Sequence, residues 1–424
     1  MAIYIKTKGF QRKTEVFCIV FLRTCCYNTI TVKQTGTQEG KRWQRLCVFN
    51  KQIKRKFKEG IYNEKKLVSL VLATAMITSS MVAMPVFASD DTATEETADE
   101  KKDDAADDTE KPDVDLSDKK VGVCIYQFSD NFMTLFRTEL ENYLIELGFS
   151  KDNITIQDGA NDQATQSNQI DAFIADGVDL LIINPVNSSS AESITDKVVA
   201  ANIPLVYVNR EPGEDEEKRW EDNGWNVTYV GCDARQSGTM QGEIIADLGL
   251  DTIDKNGNGK VDYIMIEGDP ENVDAKYRTE FSVKALEDAG LEVNQLDDQV
   301  GNWDQATAQQ LVANDLSQFG DDVEVVFCNN DAMALGALQS IEAAGRTVGD
   351  NIFLVGVDAL SEALDKVEEG KMTGTVFNDH ISQSHSAADA AVKYLAGEEN
   401  EHYIGCDYVK VTTDNVADIK EMTK

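Results

Sequence analysis

Short apolar runs alternate along most of the chain with segments whose apolar positions recur at helical spacing. VGVCIYQF (121 to 128) is followed by NFMTLFRTELENYLIELGF, and LLIINPV (180 to 186) by SAESITDKVVAAN. LVYVNR, VTYVGCD, YIMIEGD, VEVVFCNN and FLVGVDA each precede a further helical stretch. Runs this short, apolar and β-branched are buried strands, and their regular hand-over to helices is a βαβ series. The pattern predicts an α/β fold with parallel sheets covered by helices on both faces. Nine or ten strands over roughly 300 residues exceed one ordinary sheet, so two doubly wound parallel-sheet lobes are expected.

In open α/β sheets a ligand sits outside the carboxyl ends of the strands. The residues there are Asp130 and Phe132, Asn184, Asn272, Asp274 and Arg278 within 269 to 278, Asn330, Asp358 and Asn378. Asn and Asp are also the preferred helix N-caps, which is the competing reading of each one alone. As a set, beside Trp303 in GNWDQ and Phe132 in DNF, they suit a neutral polyol. Amides, carboxylates and guanidiniums each take hydroxyls in pairs, and aromatic faces cover the C–H side of a sugar ring.

Charge divides the chain. Residues 1 to 66 carry 16 Lys and Arg against 4 Asp and Glu, while the whole chain carries 40 against 75. The strongly acidic remainder would repel phosphate, which argues against nucleic acid as a partner. Lys65 and Lys66 precede the uncharged run LVSLVLATAMITSSMVAMPVFA, which ends with Val86 and Ala88 in cleavage spacing before Ser89. This is the layout of a secretory signal and implies an exported protein, periplasmic or at the outer cell-envelope surface. The run is also long enough to span a bilayer, so an uncleaved anchor competes; Pro85 and Ala88 favour cleavage. Residues 1 to about 60 exceed a usual leader, with no Met between Met1 and Met76, and are read as translated upstream sequence. The segment 89 to 118 has almost nothing apolar and is expected to be a disordered, self-repelling tether. Cys124, Cys232, Cys328 and Cys406 are far apart in apolar runs and read as small buried hydrophobes rather than a disulfide framework.

DKNGNGKVD (254 to 262) looks like the front of an EF-hand loop: Asp254, Asn256 and Asn258 in the first ligand positions and Gly259 nearby for the turn. The closing Glu is missing, because its position is Met265, and VDYIMIEG reads as a strand. Either the site is completed from elsewhere in the chain or the stretch is an Asn-Gly turn.

Several stretches are similar, in order and spacing, to the galactose/glucose-binding proteins of bacterial sugar transport. They include YQFSDNFM, QIDAFIADGVDLLIINPV, DKNGNGKVD, GDPENVDAKYRTE, NWDQA, EVVFCNNDAMALGAL, VGVDAL and GTVFND. The resemblance runs from about Lys119 to the C-terminus and implies the type I periplasmic-binding-protein fold, two lobes joined by a multi-strand hinge. It implies lobes at 119 to 204 with 379 to 409 and at 205 to 378 with 410 to 424, following a leader and signal at 1 to 88. Crossings are expected near Asn202 to Leu205, at Asn378 and around Val409 to Val411. It further implies that Asp130, Asn184, Asp274, Arg278, Asn330, Asp358 and Asn378 hydrogen-bond a sugar sandwiched by Phe132 and Trp303. Asn272 stands where the family has His, which bears on the ranking of glucose against galactose. In the family the loop binds calcium, so the expected ligands are Asp254, Asn256, Asn258, the Lys260 carbonyl, Asp262 and Glu324, with Glu324 closing the shell.

The expected function is extracytoplasmic capture of D-galactose or D-glucose by a monomer, for delivery to a membrane ABC permease, with a chemoreceptor as a further candidate partner. Another hexose or a pentose is the nearest alternative. A glycosidase would use two of Asp130, Asp274 and Asp358 as acid and base. Against it, Arg278 lies one helical turn from Asp274 and is expected to hold that carboxylate ionised. The chain also lacks a P-loop, GxSxG and CxxC. A sugar-sensing repressor would need an N-terminal helix-turn-helix where this chain has an export signal and tether.

Overall fold

The structure, a computed structural model, describes residues 2–6, 17–21 and 114–423. The expected signal segment and most of the tether lie outside the described residues. Two short strands, β1 (Ala2–Lys6) and β2 (Phe17–Phe21), pair antiparallel.

From residue 114 onward the chain builds two sheets. β3 (Val121–Ile125), β4 (Ile154–Asp158), β5 (Leu180–Ile183), β6 (Leu205–Val208) and β7 (Val227–Cys232) form the first, joined late in the chain by β13 (Tyr403–Cys406). Their order is β13-β7-β6-β5-β3-β4, every neighbour parallel. The second contains β8 (Val261–Glu267), β9 (Val293–Val300), β10 (Val325–Cys328) and β11 (Phe353–Val355), ordered β11-β10-β8-β9 and again all parallel. β12 (Thr375–Phe377) pairs antiparallel with β14 (Val409–Val411) and continues beside β11 through isolated bridges.

Period-two alternation gives each sheet two buried faces, as the uniformly apolar strands require. In the first sheet Val121, Val123, Leu180, Ile182, Val206 and Val208 enter one core, where the helices Asn131–Leu147 and His380–Leu395 pack. Cys124, Leu181, Ile183, Leu205 and Tyr207 enter the opposite one. In the second sheet Ile264, Ile266 and Val326 face one core, and Tyr263, Met265 and Phe327 the other.

One lobe boundary differs from expectation. β6 and β7 belong to the first sheet, with Leu181 opposite Leu205 and Leu205 opposite Val227. The helix between them, Glu214–Asn223, buries Trp220 face to face on Tyr207, ring centres 5.4 Å apart. The first lobe therefore runs to Cys232 rather than 204. The crossing expected near Asn202 to Leu205 lies after Cys232 instead, with others at Asn378 and between Cys406 and Val409. Beyond the first crossing, the helices Ala234–Ala246 and Val273–Asp288 come unusually close. A Cβ at Gly238 would stand 2.8 Å from the Arg278 carbonyl, and one at Gly242 would overlap the Ser282 carbonyl, so only glycine permits this approach. The packing fixes the helix that carries Asp274 and Arg278.

Among the described residues no helix is long and apolar enough to cross a membrane.

Candidate functional site

A narrow cavity lies between the lobes. Nine of the ten candidate sugar-binding residues line it: Asp130, Phe132, Asn272, Asp274, Arg278, Trp303, Asn330, Asp358 and Asn378. Tyr126, Met133, Asn209 and Arg210 line it as well.

Capping and site lining turn out to be compatible. Asp130 caps its helix through Oδ1, which accepts from the Met133 N–H at 2.7 Å, while Oδ2 accepts from the Tyr126 hydroxyl at 2.7 Å. Asn272 and Asn330 likewise accept from the backbone N–H of Asp274 and Met333, each at 3.0 Å. Each cap uses one polar atom and so fixes the direction of the other.

Asn184 is the exception and does not line the cavity. Fully buried, it donates Nδ2 to the Val208 carbonyl at 3.0 Å and to Asn209 Oδ1 at 3.3 Å, while its Oδ1 accepts from the Tyr126 N–H at 3.2 Å. It ties together the ends of β3, β5 and β6, and Asn209 faces the cavity in its place. The missed signal was the Asn-Arg pair ending LVYVNR, a strand recognised from its apolar run without its end being counted among the candidates. Arg210 is also buried, its guanidinium 3.6 Å from the centre of the Tyr126 ring.

From the second lobe, Arg278 donates Nη1 to the Asn329 carbonyl at 2.8 Å and Nη2 to the Tyr408 hydroxyl at 3.1 Å. Its Nη1 stands 4.0 Å from Asp358 Oδ1. Asp358 also accepts from Asn378 Nδ2 at 3.2 Å, and Asn378 Oδ1 accepts from Gln383 Nε2 at 2.7 Å. The backbone φ of Asp358 is 117° and that of Trp303 is 64°. Such conformations cost about 1–3 kcal/mol each in non-glycine residues and concentrate at functional sites. Gly268 supports Trp303, because a Cβ there would overlap the indole.

The electrostatics correct one expectation. Burial pushes the Asp274 carboxyl up to about 6, outweighing the Arg278 and Arg210 guanidiniums that pull it down. Burial likewise pushes Asp358 up to about 7, with Arg278 opposing and Asp130 adding to it. Arg278 therefore does not hold Asp274 in the ordinary carboxylate range, because desolvation exceeds the attraction. Four buried polar atoms of these residues have no protein partner: Asp274 Oδ1, Arg278 Nε, Arg210 Nη2 and Trp303 Nε1. Buried orphans are costly, and such a group in one cavity, offering both donors and acceptors, matches a ligand carrying several hydroxyls. Two bonds close the lobes over it: Arg210 Nη1 to Asp269 Oδ2 at 3.4 Å and Asn187 Nδ2 to Glu271 Oε2 at 2.9 Å.

The DKNGNGKVD loop lies at the opposite end of the same sheet, since it enters β8 and Glu324 enters β10, whereas the cavity lies beyond their carboxyl ends. Buried Glu324 accepts from the backbone N–H of Lys255 and Asn256 through Oε1 and from that of Asp262 through Oε2. Asp254 accepts from the N–H of Gly257, Asn258 and Gly259. The Asn256 and Asn258 amides both reach Asp262 Oδ2, at 2.6 and 2.5 Å, and Lys260 donates its N–H to Asn258 Oδ1. Among the described residues no three His, Cys, Asp or Glu side chains gather as a metal cluster. The donor set is nonetheless all oxygen-bearing, with carboxylates from two chain segments meeting in one turn, and this chemistry fits a hard cation.

Comparison with known proteins adds to this geometry. Residues 121–399 match the family model of the periplasmic binding protein domain. The chain belongs to this family. It is 34% identical over 314 residues to the D-galactose/methyl-galactoside binding periplasmic protein of Haemophilus influenzae, covering 71% of this chain and 92% of that one. It is 26% identical over 279 residues to the ribose import binding protein of Bacillus subtilis, covering 66% and 82%. Among solved structures, an ABC transporter solute binding protein from Bacillus halodurans with bound myo-inositol is similar at a TM-score of 0.63 and 28% identity, covering 73% of this chain and 99% of that one. The two-lobed α/β architecture of this periplasmic binding protein chain is thus the type I fold, and these relatives are solute-binding proteins rather than enzymes.

Proposed function

We propose that this protein is an exported monosaccharide receptor that captures D-galactose or D-glucose without altering it. The observation that carries the reading is the interlobe cavity, lined by Phe132 and Trp303, in whose walls Asp274, Arg278, Arg210 and Trp303 each keep a buried polar atom without a protein partner. Hydroxyls of a pyranose would pair with Asp274, Asp358, Asn209, Asn330, Asn378 and the two arginines, and the rings would cover its C–H faces. Closure buries the sugar, and the Arg210–Asp269 and Asn187–Glu271 contacts are the bonds that opening must break. The closed form is what a membrane ABC permease would receive, with a chemoreceptor as a second reader of the same closed surface.

A cyclic polyol outside the hexoses is the second reading. Asn272 favours it, because its carbonyl is occupied in capping the helix at Asp274 and only its short amide remains for the ligand. Calcium belongs to the proposal: turning the Asn256 and Asn258 amides would present oxygens beside Asp262, Asp254 and Glu324, and the ion would supply charge neutralisation at the base of β8 and β10.

Calorimetric titration of the full chain with hexoses, pentoses and myo-inositol, followed by chromatography of the recovered ligand, tests the reading. Saturable binding of D-galactose or D-glucose, recovered unchanged, is expected. Failure of both to bind, or appearance of a product, would overturn it.

A further inference from the structure

β7 and β13 lie side by side and end on the same tripeptide, Gly231-Cys232-Asp233 and Gly405-Cys406-Asp407. The parallel ladder sets Gly231 opposite Gly405 and Cys232 opposite Cys406, so both thiols leave the same face of the sheet. Adjacent strands run about 4.8 Å apart, inside the ~4.4–6.8 Å Cα separation that a disulfide spans. The two side chains are near enough for each thiol to shift the ionisation of the other.

The two sulfurs are unequal. Cys406 is half-buried and borders a surface hollow with Gln236, Tyr403 and Asp407, while Cys232 is 3% exposed. The neighbouring Cys232 thiol, with help from Ser386, holds the Cys406 thiol below its usual value against burial and the Asp379 and Asp407 carboxylates. The Cys406 thiol, then burial, raises Cys232. An accessible, acidified sulfur backed by a buried one is the arrangement of an attacking and a resolving cysteine. Cys124 and Cys328 are both fully buried.

We infer that Cys232 and Cys406 form a reversible disulfide that clamps the two strands from which the chain crosses into the second lobe. The oxidant is a disulfide, small or protein-borne. Deprotonated Cys406 attacks one of its sulfurs, forming a mixed disulfide and expelling one thiol. Cys232 then gives up its proton, attacks the Cys406 sulfur and expels the second. Two electrons and two protons leave the cysteine pair, and both of the oxidant's sulfurs depart as thiols. The consequence reaches the cavity, because Tyr408, two residues past Cys406, accepts from Arg278 and donates its N–H to Gln236. The exported setting proposed above enters only as the source of oxidant in the cell.

The full chain equilibrated across a series of glutathione to glutathione disulfide ratios, thiol-blocked and mapped by mass spectrometry without reduction, tests the inference with no sugar present. A Cys232–Cys406 linked peptide pair that disappears with dithiothreitol is expected. The oxidised chain should melt several degrees above the reduced one, and Cys406→Ser should abolish that shift. No linked pair at any ratio, or Cys406 found only as a glutathione adduct, would overturn the inference. The wild-type map decides even if the variant does not fold.

Discussion

Asn184 donates its amide to Asn209 at 3.3 Å, and only Asn209 of the two faces the cavity. The pair separates holding the site from touching the ligand. Asn184→Ala would leave the buried Tyr126 N–H without its acceptor, so it should lower unfolding stability by about 1–3 kcal/mol. Asn209→Gly keeps the left-handed backbone at 63° and removes the side chain, so it should weaken D-galactose binding with a smaller loss of stability. Chemical denaturation and calorimetric titration of both variants check the division; the reverse order of effects would return Asn184 to the ligand shell.

Trp303→Ala should weaken sugar binding by about 2 kcal/mol or more, as loss of a buried aromatic anchor does. Gly268→Ala reaches the same ring from behind, since the added methyl would overlap the indole. It should reduce affinity while leaving the circular dichroism spectrum unchanged. Unaltered affinity in both variants would place the indole outside the ligand shell.

Acid should act oppositely on stability and on binding. The Asp274 and Asp358 carboxyls sit at about 6 and 7, above their ordinary value, chiefly through burial. Between pH 4 and 7 the folded state holds more protons than the unfolded, so these two groups favour folding at lower pH and that contribution is lost as pH rises. A hydroxyl donated to either carboxyl favours its ionised form, so binding should release protons and affinity should climb from pH 5 to pH 8 before levelling. Titrations in buffers of different ionisation enthalpy measure the release. A flat affinity profile would show that neither carboxyl accepts from the ligand.

Calcium bound at about a hundred times its dissociation constant would add roughly 2.7 kcal/mol to stability. Melting with millimolar calcium and with excess chelator should therefore differ for the wild type. Glu324→Ala removes the buried carboxylate that gathers the loop and should abolish the difference. Equal melting temperatures for the wild type in the two conditions would make DKNGNGKVD a turn only.

Strand and helix identity lay in the sequence, because a parallel strand covered on both faces must be apolar throughout, and Val121–Ile125 or Val325–Cys328 have no other use. The candidate chemistry was legible for the same reason: the residue that ends such a strand is placed at the ligand edge by topology alone. Local pattern carries no information on which strand pairs with which. β6 reads the same whether it joins the first sheet or the second, so the lobe boundary at Cys232 awaited the ladder between Leu181 and Leu205. β9, VNQLDDQV, is an edge strand with no fully buried residue, and its mostly polar sequence escaped an apolar count. Asn184 and Asn209 both follow apolar strands, and only the folded backbone turns one toward the cavity and the other behind it. Cys232 and Cys406 are remote in sequence and meet only through the register of β7 with β13. Burial and period are properties of a segment, whereas register, facing and pKa depend on what the rest of the chain brings alongside.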